Sequence, residues 1–224
     1  MKRLVVIVEG ETEEAFVHQI LAPYIWNSGC MNPIQCFKIK HSGGGVSKYS
    51  HIERDVLATV REKDVVVTTM FDFYGLPSDT PGFKESISCN SHIERVRVIE
   101  NNIQKEITQK VRENILFIPY IQLHEIEALI FSSAKGFNEL FDKEEADMKV
   151  LNDIVSDFPN PEDIDNGPNT APSKRLIKAI PGYDKVLYGI GMLQIIGIET
   201  ILSKCPHFKE WINKIINKLS KENK

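Results

Sequence analysis

Residues 4–10 of the chain are Leu-Val-Val-Ile-Val-Glu-Gly, an unbroken apolar and mostly β-branched run that stops at an acid and a glycine. Such a run is typical of a strand that is buried on both faces, as the strands of parallel sheets are. A second run of the same type, residues 64–71 (DVVVTTMF), is followed directly by Asp72. The two runs therefore predict two strands of a parallel sheet, each with a carboxylate at its carboxyl end.

Helical and strand patterns alternate through the rest of the first half. Thr12, which precedes two glutamates, is typical of a helix N-cap with acids in the first turn, so a helix is predicted behind the first strand. The other predicted elements are a strand over residues 35–40, a helix over 52–60, a helix over 92–112 and a strand over 115–123. This order predicts an α/β fold: a Rossmann-like, mainly parallel four-stranded sheet with helices on both faces.

From about residue 134 the strand patterns stop and only helical patterns remain. The predicted helices cover residues 137–141, 145–158, 171–180, 192–204 and 208–219. We therefore predict an α/β domain over residues 1–133 and a helical C-terminal extension over residues 134–224 that packs on it.

The composition is that of an ordinary globular chain, with 224 residues and a formal net charge of −4. Proteins that bind nucleic acid do so largely through positive charge, so any such contact must come from a local patch. The four cysteines lack the spacing of a zinc site. The apolar run at residues 4–8 is too short for a secretory signal, and no stretch approaches the ~20 apolar residues of a membrane span. We expect a cytoplasmic protein without membrane contact.

Three predicted strand ends carry acids: Glu9 after the first strand, Asp72 after the third, and Glu125 with Glu127 after the fourth. In open parallel sheets the functional residues lie beyond the carboxyl ends of the strands. A carboxylate there is costly to desolvate unless it is paired or bound to metal, and hard cations such as Mg²⁺ prefer oxygen ligands. The pattern predicts a divalent-metal site, although each acid could instead cap the helix behind it.

A second candidate element is Ser173-Lys174-Arg175, which opens a predicted helix, with Lys178 and Lys185 downstream. Arginine offers a planar fork to phosphate oxygens, lysine offers a point charge, and a helix N-terminus favours anions. These residues would hold a substrate phosphate opposite the metal, although an ordinary solvated helix face has the same pattern. The glycine-rich segment 42–45, which includes Gly44, does not fit the P-loop pattern and is expected to be a loop that touches substrate.

Four motifs carry a resemblance to a known family. They are VEGETEEAF at residues 8–16, MFDFYGLP at 70–77, HEIEALIFS at 124–132 and APSKRLIKAIPGYDK at 171–185. In this order they resemble the bacterial family catalogued as domain of unknown function 4276, which is grouped with Toprim-like proteins, with RloB and with the OLD-family nucleases. The resemblance covers nearly the whole chain.

The resemblance to Toprim domains implies roles for particular residues. Glu9 matches the Toprim glutamate, which acts as a general acid or base or as a metal ligand. Asp72 matches the first aspartate of the Toprim Asp-x-Asp pair, a metal ligand, but Tyr74 stands where the second aspartate is expected. The missing oxygen could come from Glu125, from Glu127 or from Asp79, and we prefer Glu125.

These matches lead to a functional hypothesis. The chain would be a phosphodiesterase dependent on Mg²⁺ or Mn²⁺ that cuts DNA or RNA, with Lys174 as a catalytic residue. The substrate would contact Gly10 and Glu13 of the first motif, Gly44, and Ser173 to Arg175. Related Toprim nucleases act with ABC-type or OLD-type ATPases in phage defence, so the resemblance also implies an ATPase partner.

Two alternatives use the same scaffold. The missing second aspartate could mean a degenerate domain that binds nucleic acid or nucleotide, or that regulates an ATPase, without cutting. A small-molecule phosphatase or nucleotidyl enzyme would need a closed pocket where a nuclease needs an open groove.

Overall fold

A computed structural model describes residues 1–40, 46–111, 114–164, 167 and 169–220. Gly44 and the rest of the glycine-rich segment lie outside the described residues. The strands are β1 (Arg3–Val8), β2 (Ile34–Lys38), β3 (Val65–Asp72), β4 (Phe117–Ile118) and β5 (Ile121–Gln122). They pair in parallel in the order β2-β1-β3, and both β4 and β5 pair with the far edge of β3. The predicted α/β class with a mainly parallel sheet is confirmed.

The edge strand beside β3 is interrupted. A single strand over residues 115–123 was expected, but the structure has two short strands, β4 and β5, that pair with β3 in one continuous register. Pro119 lies between them and has no backbone N–H to donate to a ladder. The Thr69 hydroxyl fills the gap, because it accepts from the Tyr120 N–H at 2.9 Å and lies 3.0 Å from the Tyr120 carbonyl. The prediction of one unbroken strand was wrong for this reason.

The helices alternate with the strands and then continue to the C-terminal end. They are α1 (Glu11–Phe16), α2 (Ala22–Asn27), α3 (Tyr49–Val60), α4 (Phe83–Ser86), α5 (His92–Val111), α6 (Lys135–Leu140), α7 (Met148–Asp157), α8 (Pro172–Ala179), α9 (Ile190–Ile196), α10 (Ile198–Lys204) and α11 (Pro206–Ser220). Tighter or wider helical turns cover Val17–Leu21, Phe73–Gly75, Ile126–Ser132, Pro161–Asp163 and Lys185–Gly189.

Two of the helix boundaries that differ from the prediction have a local cause. The N-cap of α1 is Gly10 rather than Thr12, because the Glu13 side chain reaches back to the Gly10 N–H at 2.9 Å. The single helix expected over residues 192–204 is broken at Gly197, whose φ of +79° lies in the left-handed region that glycine adopts readily.

Within the described residues no single helix is long and apolar enough to cross a membrane. Only the pair Lys185–Ile196 and Ile198–Lys204, bent by 81°, meets that test jointly.

The sheet is covered on both faces, because successive residues of β1 point in opposite directions. Leu4, Val6 and Val8 belong to a core shared with α1 and with the helices from α6 to α11. Val5 and Ile7 belong to a second core shared with α3 and α5. Residues from both sides of position 133 therefore share one core, and the division into two domains at that position stays a prediction.

The helix α11 is fastened to the interrupted edge of the sheet by a buried aromatic stack. The Tyr120 ring lies between His207, with ring centroids 5.0 Å apart, and Trp211, with centroids 4.1 Å apart. The Trp211 indole donates to the Thr68 hydroxyl at 2.8 Å. The buried Glu162 carboxylate accepts from the backbone N–H groups of His207 and Phe208 at 2.9 and 2.8 Å, which caps the start of α11.

Candidate functional site

The candidate site lies between β1 and β3, at the point where the strand order of the sheet reverses. From β1 the chain crosses to β2 on one side, and from β3 it crosses to β4 on the other, so a crevice forms outside their carboxyl ends. Glu9 follows β1 directly and Asp72 is the last residue of β3. The register pairs Val8 with Met70, which brings these two acids to the same edge of the sheet.

The third strand end reaches the crevice through a sharp turn. Gln122, the last residue of β5, pairs with Asp72. His124 then takes a φ of +67°, an uncommon left-handed conformation for a residue with a side chain, and its Nε2 lies 3.0 Å from the carbonyl of Glu162. Glu125 is the extended residue in front of the helical turn Ile126–Ser132. The turn brings both Glu125 and Glu127 to the same edge.

The carboxylates act on one another electrostatically. Burial raises the pKa of Asp72 well above its ordinary range, and Glu13, Glu127, Glu9 and Glu125 each raise it further. Burial likewise raises the pKa of Glu13 to about 7, with contributions from Glu127 and Glu9. These mutual effects place the predicted strand-end acids Glu9, Asp72, Glu125 and Glu127 within electrostatic reach of one another and of Glu13 in α1. The five acids are hereafter called the acid pocket.

Gly75 forms part of the wall against the carboxylate of Glu9. A Cβ atom at position 75 would lie 2.5 Å from Glu9 Oε2 and 2.7 Å from Oε1. Atoms cannot approach that closely, so a glycine at this position lets the backbone after β3 close over the Glu9 side chain.

Lys185 enters the acid pocket from the segment after α8. Its Nζ lies 2.7 Å from Oε1 of Glu127, whose side chain is 1% exposed. Burial raises the pKa of Glu127, and Lys185 opposes that rise. Tyr183 from the same segment has a buried hydroxyl with no hydrogen-bond partner among the described residues. Lys185 was predicted to lie opposite the metal as part of the basic element that follows Ser173, whereas Tyr183, in the same motif, was not a predicted site residue.

The comparison with protein families identifies the chain. A family model described as Domain of unknown function (DUF4276) matches residues 8–216, which is most of the chain. The chain belongs to this family. No curated protein and no solved structure matches it. The relationship of this DUF4276 member to Toprim domains, to RloB and to OLD-family nucleases stays a prediction from its motifs.

The three residues of the predicted phosphate-binding triplet, Ser173 to Arg175, have different surroundings in this DUF4276 member. The buried Ser173 donates its backbone N–H to Oε2 of Glu125 at 2.9 Å, so the start of α8 receives a carboxylate of the protein itself. The Arg175 side chain turns to the scaffold, where its Nε donates to the Thr170 carbonyl at 2.6 Å and its guanidinium lies over the Phe158 ring. Lys174 is exposed. Ser173 thus adjoins the acid pocket, while Arg175 serves the packing of α8.

Two other candidate residues have structural contacts. Glu13, a predicted substrate contact, is 6% exposed and closes the cap at Gly10. Asp79, an alternative for the missing ligand, accepts from the Tyr49 N–H at 3.0 Å and so caps the start of α3. Tyr74, at the position of the second Toprim aspartate, is 50% exposed. Of the residues weighed for the missing oxygen, Glu125 and Glu127 both raise the pKa of Asp72.

The chemistry of the acid pocket fits a hard divalent cation. Asp72 Oδ1 and Glu127 Oε2 are buried oxygens with no hydrogen-bond partner among the described residues. Carboxylate oxygens of this kind are the ligands that Mg²⁺ and Mn²⁺ prefer. In the described ranges, however, no three acidic, histidine or cysteine side chains already meet at one point as a metal shell would. Binding a cation would require the carboxylates to turn towards it, and the charge of Lys185 would compete with that cation at Glu127.

Proposed function

We propose that this DUF4276 member is a phosphodiesterase that uses Mg²⁺ or Mn²⁺ to cut DNA or RNA. One observation carries the proposal: acids from three strand ends share a single pocket at the carboxyl edge of a parallel sheet, and two of their oxygens are buried without a partner. An array of desolvated carboxylates is costly in a folded protein unless a cation compensates it. A divalent cation offers that compensation and stabilises the charge of a phosphate under attack.

The residues divide the work according to their position. Asp72 is the principal ligand in the proposal, because it stands at the end of β3, its Oδ1 is buried without a partner, and the other four acids raise its pKa. Glu125 or Glu127 supplies a further oxygen. Glu9, held against Gly75, either binds metal or moves a proton at the attacking or leaving oxygen. Lys174, exposed on the first turn of α8 beside Ser173, contacts the substrate phosphate.

The biological setting is proposed from the family resemblance alone. Toprim-type nucleases work with ABC-type or OLD-type ATPases in phage defence, and we extend that partnership to this chain in a cytoplasmic setting. Supporting it requires that an ATPase from the same genomic neighbourhood copurify with the full chain and change its cleavage rate.

The proposal is tested by calorimetric titration of Mn²⁺ into the wild type and into Glu9→Gln and Asp72→Asn, with plasmid nicking assayed on the same samples. Glu11→Gln is the matched control for Glu9, since Glu11 lies two residues on and pairs with Lys38 at the surface. Asp64→Asn is the control for Asp72, since Asp64 precedes the opposite end of the same strand.

We expect Mn²⁺ binding and metal-dependent nicking in the wild type and both controls, and loss of both in Glu9→Gln and Asp72→Asn. Absence of Mn²⁺ binding in the wild type would contradict the catalytic roles of Glu9 and Asp72. Metal binding without nicking, in the presence and absence of the ATPase, would contradict the nuclease assignment.

A second candidate function is a binding module without catalysis. The ion pair between Lys185 and Glu127 favours it, because a lysine inside the pocket can compensate the acids without a metal. The replacement of the second Toprim aspartate by Tyr74 points the same way. This candidate predicts that nucleic acid or nucleotide binds equally well in EDTA and in Mn²⁺, and that no cleavage accompanies either.

A further inference from the structure

A separate cavity of about 290 Å³ lies at the start of α5. Arg95 and His92 contribute its basic side chains, Asn90 and Ser91 contribute polar groups, and Asp163 is the one acid among its lining residues. None of these residues belongs to the acid pocket or to the predicted phosphate-binding triplet. The chemistry of the cavity therefore calls for its own explanation.

Arg95 is the unusual member of this lining. Its guanidinium lies over the ring of Phe73, 5.0 Å from the ring centroid, and its Nε is buried without a hydrogen-bond partner among the described residues. Two other arginines of the chain serve for comparison, because each pairs with an acid: Arg97 with Glu210 at 3.0 Å, and Arg54 with Asp55 at 3.0 Å. Arg95 makes no such ion pair among the described residues, and Asp163, the acid that shares its cavity, accepts instead from the Asn160 side chain at 3.0 Å. The Arg95 charge therefore faces the Phe73 ring and is open to an anion that enters the cavity.

The position of the Arg95 charge is electrostatically unfavourable in the absence of an anion. Arg95 stands in the first turn of a 20-residue helix, where the helix dipole disfavours positive charge. The nearby backbone groups are already engaged, because Glu94 accepts from the Asn90 N–H and Ser91 accepts from the Glu94 N–H. The binding capacity of the cavity thus resides in side chains and not in the helix terminus.

The cavity adjoins the acid pocket through two ring contacts. Phe73, under the Arg95 guanidinium, directly follows Asp72. The His92 ring meets the His124 ring edge-on with centroids 5.0 Å apart, and His124 directly precedes Glu125. A ligand that spans both places would present one anionic group to the cavity and another to the acids.

We infer that this cavity binds a backbone phosphate of the nucleic-acid strand, neighbouring the phosphate held at the acid pocket. The inference rests on the proposed function for its substrate class. Arg95 offers a planar fork of donors that matches two phosphate oxygens, and His92 with Asn90 and Ser91 can complete the contacts. A phosphodiester is the repeating anion that a nuclease meets on either side of the bond it cuts.

The test measures binding of a fluorescently labelled oligonucleotide to the full chain by anisotropy over a series of salt concentrations. Ca²⁺ is present to neutralise the acid pocket, and integrity of the oligonucleotide is checked on a gel. Arg95→Gln is compared with Arg97→Gln, a matched control two residues further along α5 whose side chain pairs with Glu210. Arg95→Lys is the second variant, because it keeps the charge if loss of the stacked side chain impairs folding.

We expect Arg95→Gln to weaken binding roughly tenfold and to reduce the slope of log affinity against log salt by about one. Arg95→Lys should keep the slope and lose part of the affinity, since a point charge replaces the fork. Arg97→Gln should change neither, and all three variants should keep wild-type Mn²⁺ binding. Equal effects of Arg95→Gln and Arg97→Gln would overturn the inference.

The same measurements distinguish failure of the proposed function from failure of the phosphate site. If the wild type binds oligonucleotide in an Arg95-dependent way but shows neither Mn²⁺ binding nor nicking, the catalytic proposal falls and the phosphate site stands. If the wild type binds Mn²⁺ but no oligonucleotide, the phosphate site falls together with the proposed substrate class.

Discussion

The ammonium group of Lys185 lies 2.7 Å from the buried carboxylate of Glu127, inside a pocket that four other acids share. The two residues are far apart in the chain, and Lys185 is 47% exposed at its side chain while Glu127 is 1% exposed. The lysine reaches in from the surface and supplies the cation that a metal would supply. Under the proposed function, the pocket would have a lysine-compensated and a metal-compensated state, in which Lys185 and the metal compete for the charge of Glu127.

Replacing Lys185 by glutamine should therefore act on the two states in opposite directions. The metal-free protein should lose about 2 kcal/mol of unfolding free energy, because Glu127 remains buried without its partner and the exposed half of the lysine tempers the loss. Mn²⁺ should bind more tightly, since no cation competes for Glu127. Urea unfolding in EDTA and calorimetric titration measure the two effects. Lys178→Gln, on the exposed face of α8, is the control, and unchanged Mn²⁺ affinity in Lys185→Gln would refute the competition.

Gly75→Ala should displace the Glu9 carboxylate, because the added Cβ would lie 2.5 Å from one of its oxygens. We expect at least tenfold weaker Mn²⁺ binding, about 1.4 kcal/mol, with the fold intact by circular dichroism. Gly191→Ala in α9 is the control, since its Cβ would lie 3.6 Å from Leu140 and make ordinary contact. Wild-type Mn²⁺ affinity in Gly75→Ala would mean that Glu9 does not contribute to the site.

The metal-free protein should become more stable as the pH falls through neutrality. Burial raises the pKa of Glu13 from the ordinary 4.5 to about 7. A raised folded-state pKa means that the folded protein binds the proton more tightly, so this contribution is complete below 4.5 and is lost as the pH rises through 7. Its upper limit is about 3 kcal/mol. The raised pKa values of Asp72 and Glu127 have the same sign.

Urea unfolding in EDTA at mildly acidic and mildly alkaline pH measures this dependence. Glu13→Gln should flatten it, whereas Glu11→Gln, exposed on the same turn, should leave it as in the wild type. Saturating Mn²⁺ should reverse the trend, because a bound cation favours the ionised carboxylates. Greater stability at alkaline pH in EDTA would contradict the desolvated acid pocket.

Trp211→Ala should cost about 3–5 kcal/mol of unfolding free energy, because the ring is fully packed in the core and stacks on Tyr120. The same substitution at Trp26, which is 40% exposed, should cost much less. Chemical denaturation of both variants gives the comparison. Similar losses at the two tryptophans would mean that the stack does not fasten α11 to the sheet.

Part of this architecture follows from local patterns. The β-branched runs that became β1 and β3, and the acids directly behind them, were evident because period and apolarity are properties of a few consecutive residues. The α1 cap at Gly10 and the break at Gly197 were also local, but the helical pattern on each side concealed them. The interruption of the edge strand between β4 and β5 depended on Pro119 together with the Thr69 hydroxyl, which lies on another strand.

The acid pocket shows where such patterns stop being sufficient. That Glu9 and Asp72 end strands was determined by the sequence itself, because an apolar run ending in a carboxylate marks the edge of a buried sheet. Only the tertiary structure decided three other contacts. They are the ion pair of Lys185 with Glu127, the hydrogen bond from the Ser173 amide to Glu125, and the position of the Arg95 guanidinium over the Phe73 ring. Each joins segments distant in the chain, and the charge that a buried group meets depends on which segments the packed core brings beside it.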